Sequence, residues 1–165
     1  MKYLYGLICL LAFSGCKIAL NQASIPPEMK SVNVRVFENN APLVLPTLSS
    51  NFTEELKTRI RNQTSLRITT GDADGIFTGN ITGYSLTPEA ITDNNRPTAG
   101  ATRLTIRVSV KYTNNLNPKQ SFEQSFEKYK VFKLAGSLQI QEQGIAKDVT
   151  AMLTEDIFNA AFAQW

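Results

Sequence analysis

Histidine is absent from this chain of 165 residues. The usual general base near neutral pH and the commonest metal ligand are therefore missing. Zinc sites of the Cys/His type and Ser-His-Asp or Cys-His catalysis are excluded with them. Cysteine is nearly absent too, with only Cys9 and Cys16 present. Cys9 falls in an N-terminal apolar leader, so the domain behind it has no internal disulfide and must fold on packing alone. Nowhere is there an apolar run of about 20 residues, the length a spanning helix needs. A strong charge of one sign is also lacking: 17 Lys and Arg against 14 Asp and Glu leave +3, or +2 without Lys2. That balance is too mild to argue for a nucleic-acid partner. No motif asks for a cofactor or a metal.

What the chain does have begins with its leader. Lys2 is followed by apolar residues from Tyr3 to Phe13 and then Ser14-Gly15-Cys16. A positive start, a short apolar run and small residues are the parts of an export signal, which normally ends in an A-x-A-like site. Ending at a cysteine, the pattern instead describes a lipoprotein signal. Cys16 becomes the first mature residue and carries acyl chains that hold it to a membrane. A plain signal peptide and a transmembrane anchor are the alternatives, and the apolar run is too short for an anchor. The expected organisation is a removed signal over 1–15, a lipidated N-terminus and extended tether over 16–30 containing Pro26-Pro27, and one domain over 31–165.

Within that domain, Val32, Val34 and Val36 alternate with Asn33, Arg35 and Phe37, the pattern of a strand with one buried face over Ser31–Phe37. Leu48, Phe52, Leu56 and Ile60 form one stripe of a helix over about 48–63, with Thr47 at the N-cap position. Short strands are expected over 66–70 and 76–86, the second with Gly79 and Gly83 marking bulges or close approach. Gly71-Asp72-Ala73-Asp74-Gly75 is turn chemistry, and 88–100 reads as a polar loop. Leu104, Ile106, Val108, Val110 and Tyr112 alternate with Arg103, Thr105, Arg107, Ser109 and Lys111. This strand should form a hairpin with 121–132, where a bulge near Glu127 is expected to separate Phe122 and Phe126 from Tyr129 and Val131. A last helix over about 141–163 carries Ile145, Val149, Met152, Leu153, Ile157, Ala160 and Ala161 on one stripe. The order β-α-β-β-β-β-α implies an α+β domain: a two-layer sandwich, with a mixed or antiparallel sheet and two amphipathic helices on one face.

Few residues suggest chemistry. Asp72-x-Asp74-Gly75 has the start of a calcium loop, but the twelfth position, which needs a bidentate Glu, is Gly83. Glu54 and Glu55 are adjacent on a helix and point about 100° apart, so they do not converge. Three glycosylation sequons carry little meaning behind such a leader. The row Arg103, Arg107 and Lys111 shares one face of a strand, and Arg35 joins it if the register allows. Such cations could bind phosphate, carboxylate or acidic side chains; equally, they could be the solvated face of a half-covered sheet. Phe37 falls on the polar side of the first strand, and Tyr129 on the side of its strand opposite Phe122 and Phe126.

From Ser24 onward the chain resembles the LptE family. The resemblance rests on Ser24-Ile25-Pro26, Asn39-Asn40-Ala41-Pro42-Leu43-Val44, Pro46-Thr47-Leu48-Ser49 and Phe52-Thr53-Glu54-x-Leu56. It continues through Gly79-x-Ile81-x-Gly83-Tyr84 with Pro88, Arg103-Leu104-Thr105-Ile106-x-Val108-x-Val110, Phe122-Glu123-x-Ser125-Phe126 and the ending Asp156-Ile157-Phe158-Asn159-Ala160-Ala161-x-Ala163-x-Trp165. It implies a non-enzymatic lipoprotein of the outer membrane that plugs and assists assembly of an LptD-like β-barrel and contacts lipopolysaccharide during its delivery. Lys17-Ile18-Ala19 follow Cys16 without an acidic residue in the next position, so inner-membrane retention is not signalled and the periplasmic side of the outer membrane is expected. Which residues touch the glycolipid does not carry over from the family, so Arg103, Arg107, Lys111 and Arg35 stay an inference from strand spacing. The alternatives are a lipopolysaccharide relay rather than a static plug, and another lipidated envelope accessory such as a secretin pilotin or a peptidoglycan-synthase activator, since fold alone does not separate these roles.

Overall fold

The computed structural model describes residues 25–43, 45–93, 96–133 and 136–163, with side chains 90–99 set aside. The leader and Cys16 lie outside these residues. In chain order the elements are β1 (Ser31–Val34), β2 (Glu38–Asn39), α1 (Leu48–Gln63), β3 (Arg67–Thr69), β4 (Gly75–Asp93), β5 (Arg96–Asn114), a 3-10 turn (Pro118–Gln120), β6 (Phe122–Lys133) and α2 (Leu138–Phe162). The sheet runs β3-β1-β4-β5-β6, with β2 beside β4. β1 is parallel to both β3 and β4, and β4-β5-β6 is antiparallel. This is the expected α+β sandwich of one mixed sheet and two helices.

Alternation decides which face is covered. On β5, Leu104, Ile106, Val108, Val110 and Tyr112 are all at most 1% exposed, while the residues between them face away. Both helices lie on that apolar side. α1 buries Leu48, Phe52, Leu56 and Ile60, the stripe seen in the sequence. α2 buries Val149, Leu153, Ile157 and Ala161, joined by Phe158 and Phe162. Phe162 meets Phe77 and Tyr112 edge-on at 5.8 and 5.7 Å, which ties the end of α2 to the sheet. Burial pushes the Tyr112 phenol up to about 12, and its hydroxyl donates to Met29 Sδ at 3.8 Å. Met29 is itself buried, and its N–H closes a turn on Pro26 O at 3.0 Å.

Three sequence expectations are corrected. The first strand ends at Val34 rather than Phe37, so alternation breaks: Val36 is 64% exposed, whereas Phe37 is fully buried against Phe52, 5.0 Å between ring centres. The α1 side chains capture the Phe37 backbone, Thr53 Oγ1 accepting its N–H and Ser49 Oγ donating to its carbonyl. Phe37 is therefore core, not an exposed aromatic. Secondly, 88–93 and 96–100 are strand rather than loop. β4 and β5 stay paired from Pro88↔Thr102 out to Asp93↔Arg96, because ladder hydrogen bonds need no apolar period. Pro88 fits there because β4 lies at an edge beyond Ile81, where proline is tolerated. Thirdly, no bulge occurs at Glu127. The β5–β6 register is unbroken from Ala101↔Lys133 to Tyr112↔Phe122. Plain alternation already puts Phe122 and Phe126 on one face and Tyr129 and Val131 on the other.

Other expectations hold in part. Thr47 occupies the N-cap of α1 but makes no side-chain cap bond. The bulge foreseen near Gly83 lies between Ile81 and Gly83, and Gly79 marks a close approach.

The Asp74 turn locks β1 in place. Asp74 Oδ2 accepts from Lys30 N–H, Ser31 N–H and Ser31 Oγ at 2.8 to 2.9 Å. These bonds, the Lys30 N–H foremost, hold its carboxyl below the usual range. A lowered folded pKa contributes stability that is present above the unfolded value and lost as pH falls through the folded one. Thermal melting should therefore weaken below about pH 4, and the Asp74→Asn variant should lose that part of the acid dependence.

Candidate functional site

The face of the sheet away from the helices is open. Its centre is the odd-numbered row of β5: Arg103, Thr105, Arg107, Ser109 and Lys111. The expectation that Arg103, Arg107 and Lys111 share one face is met, since Leu104 to Tyr112 between them are buried on the other. Arg35 is exposed just past β1 and donates its N–H to Phe77 O at 3.0 Å. β4 thus separates it from the row.

Sequence reading missed what faces these cations. Arg107 pairs with Glu127, its direct neighbour across the β5–β6 ladder. Lys111 stands opposite Glu123 in the same way, 3.9 Å away. Arg103 reaches Glu89 on β4 at 2.7 Å and lies over the Tyr129 ring, 4.2 Å from its centre. The Glu89 hydrogen bond raises the Arg103 pKa above its ordinary value. Tyr129 is half-exposed, as its place on the polar side of β6 predicted. The basic row is thus a ladder of cross-strand pairs. No single-strand pattern could reveal this, because the pairing depends on the β4–β5–β6 register.

Pairing does not close the site. The Arg107 and Lys111 pairs have every side chain 45% or more exposed, and exposed pairs contribute only about 0 to 1 kcal/mol. A phosphate or carboxylate group can exchange with Glu123 or Glu127 at little cost. Arg103 is more firmly held, at 34% exposure against Glu89 and the tyrosine ring. Beside Arg107 the β4 bulge opens a cleft of about 230 Å3 lined by Pro42, Thr82, Gly83, Ser85 and Thr105. The missing side chain at Gly83 makes room for Arg107, because a Cβ there would lie 3.3 Å from Arg107 Cβ. One guanidinium among hydroxyls suits a sugar or an anionic group.

Among the described residues, no group of three His, Cys, Asp or Glu could hold a metal ion. No described helix is long and apolar enough to cross a membrane.

Solved structures share this fold at low identity. A minor lipoprotein from Acinetobacter baumannii is 11% identical with a TM-score of 0.53, over 79% of this chain and 91% of that one. The hypothetical protein CT253 from Chlamydia trachomatis is 10% identical with a TM-score of 0.57, over 82% and 99%. Lipoprotein B from Nitrosomonas europaea is 14% identical with a TM-score of 0.51, over 83% and 84%. No curated protein matches the sequence. The profile of one family, LptE, described as lipopolysaccharide-assembly, matches residues 29–161, from the buried Met29 to the last turn of α2. By that match, the chain belongs to the LptE lipopolysaccharide-assembly family.

Proposed function

We propose that this protein is a lipid-anchored, non-enzymatic assembly factor that sits in and supports the β-barrel delivering lipopolysaccharide to the outer leaflet. The observation that carries the reading is the family match across essentially the whole described domain. A leader ending in Ser14-Gly15-Cys16 supports it by supplying an anchor on the periplasmic side of the outer membrane. The absence of histidine from the sequence supports a binding role over a catalytic one. Purification from membranes in mild detergent should recover a large β-barrel, with acyl chains on Cys16 seen by mass spectrometry. Recovery of no barrel overturns the reading.

The open face is the proposed contact for anionic groups of the glycolipid, through Arg103, Arg107 and Lys111, with Arg35 at its margin. Replacing the three β5 cations by alanine should weaken lipopolysaccharide binding at least about tenfold, equal to about 1.4 kcal/mol, with barrel recovery unchanged. Binding at wild-type strength in that variant removes the assignment. The Glu123→Gln/Glu127→Gln variant, which frees Arg107 and Lys111 from their partners, should bind more tightly.

A further inference from the structure

The helical layer, on the opposite side from the open face, carries a second feature. A groove of about 420 Å3 runs between α1 and α2. Its floor includes Leu48 and Ala146, and its walls present Asn51 and Glu55 from α1 and Gln143, Lys147 and Thr150 from α2.

Thr150 and Thr154 lie one turn apart on α2 and are 2% and 0% exposed. Thr154 is satisfied: its hydroxyl accepts from Arg59 Nε at 3.2 Å and donates to Ala151 O at 3.0 Å. Thr150 lines the groove, and its buried hydroxyl has no hydrogen-bond partner among the described residues. A buried, unmatched hydroxyl destabilises a fold unless something supplies the bond. The charges on the walls repeat the contrast. Glu54 is engaged by Lys57 at 2.7 Å. Among the described residues, Glu55 on one wall and Lys147 on the other have no ion-pair partner.

We propose that the groove between α1 and α2 is a binding site for short zwitterionic peptides. Glu55 takes the terminal ammonium and Lys147 the terminal carboxylate. The Asn51 and Gln143 amides and the Thr150 hydroxyl serve the peptide bonds between them. Leu48 and Ala146 accept small apolar side chains. The volume lies near the lower end of ligand clefts, which suits a di- or tripeptide rather than a longer chain. One carboxylate and one ammonium on opposite walls select a ligand with both charges over a simple cation or anion.

The probe is trialanine, titrated into the purified full-length protein in detergent and followed by backbone amide shifts. Saturable shifts confined to 45–58 and 143–150, with a dissociation constant of about 1 mM or tighter, are expected. N-acetyl-trialanine amide, which lacks both charges, should bind at least about tenfold more weakly, as should trialanine to the Glu55→Gln and Lys147→Gln variants. Thr150→Val keeps the shape and removes only the hydroxyl, so its melting temperature should hold or rise while trialanine affinity falls. No saturation by about 50 mM, equal binding of the capped peptide, or wild-type affinity in Thr150→Val overturns the site.

Discussion

Gly79→Ala should cost more than about 3 kcal/mol of folding stability, at or beyond the upper end for overpacked sites. Gly79 lies on β4 beneath the Phe37 ring. A Cβ there would fall on the Ser109 carbonyl oxygen and 2.7 Å from Phe37 Cε1. Neither neighbour can yield. Ser109 belongs to the paired β5 ladder, and Phe37 is clamped through its backbone by Thr53 and Ser49. Against a total stability of about 5 to 15 kcal/mol, this loss threatens folding outright. Urea unfolding followed by circular dichroism measures it. Gly71→Ala serves as control, since no atom of the described residues lies within 4 Å of a Cβ at that turn, and it should stay within about 0.5 kcal/mol of wild type. A Phe37→Ala/Gly79→Ala double variant should not recover, because the clash with the β5 backbone remains.

Arg59→Met should cost about 2 to 3 kcal/mol, the scale of charged hydrogen bonds lost from a shielded site. Arg59 leaves α1 at 14% side-chain exposure and reaches α2 twice, giving Nη2 to Ala151 O at 2.9 Å and Nε to Thr154 Oγ1 at 3.2 Å. Methionine keeps an apolar stem against the helix and removes the fork, so the loss reports the hydrogen bonds rather than packing. The Glu155 pair, 3.8 Å away with Glu155 60% exposed, contributes little. Adding about 0.5 M salt should therefore leave the difference between the two proteins nearly unchanged. A strongly salt-dependent difference would assign the effect to Glu155 instead.

Legibility from sequence followed the range of the forces involved. The α1 stripe and the β5 alternation were readable because each depends on residues a few positions apart. α1 spans Leu48–Gln63, the range its stripe predicted. The same rule misplaced Phe37, because alternation presumes a strand that continues and this one ends at Val34 once α1 captures the Phe37 backbone. Residues 88–93 and 96–100 escaped notice because they extend an existing ladder without an apolar signal of their own. The candidate face was half visible. Its cations lie on one strand and could be counted, but Glu89, Glu123 and Glu127 meet them only through register. The groove with Thr150 gave no signal, because its walls lie about ninety residues apart and meet only when two helices pack.

The position of β1 governs the order of assembly. β4, β5 and β6 follow one another as hairpins, whose contacts are local and form early. β1 leads the described strands in sequence, yet it sits between β3 and β4, which begin at Arg67 and Gly75. As the chain is made from its N-terminus, Val32 must wait until Gly75 has been added before both its ladder neighbours, Ile68 and Gly75, exist. Its fully buried side chain stays exposed through that interval. Closing so long a loop carries an entropic cost that only the completed sheet repays. β1 is therefore enclosed late, and the Asp74 bonds to Lys30 and Ser31 form with that step. A substitution there should speed unfolding while leaving the folding rate nearly unchanged.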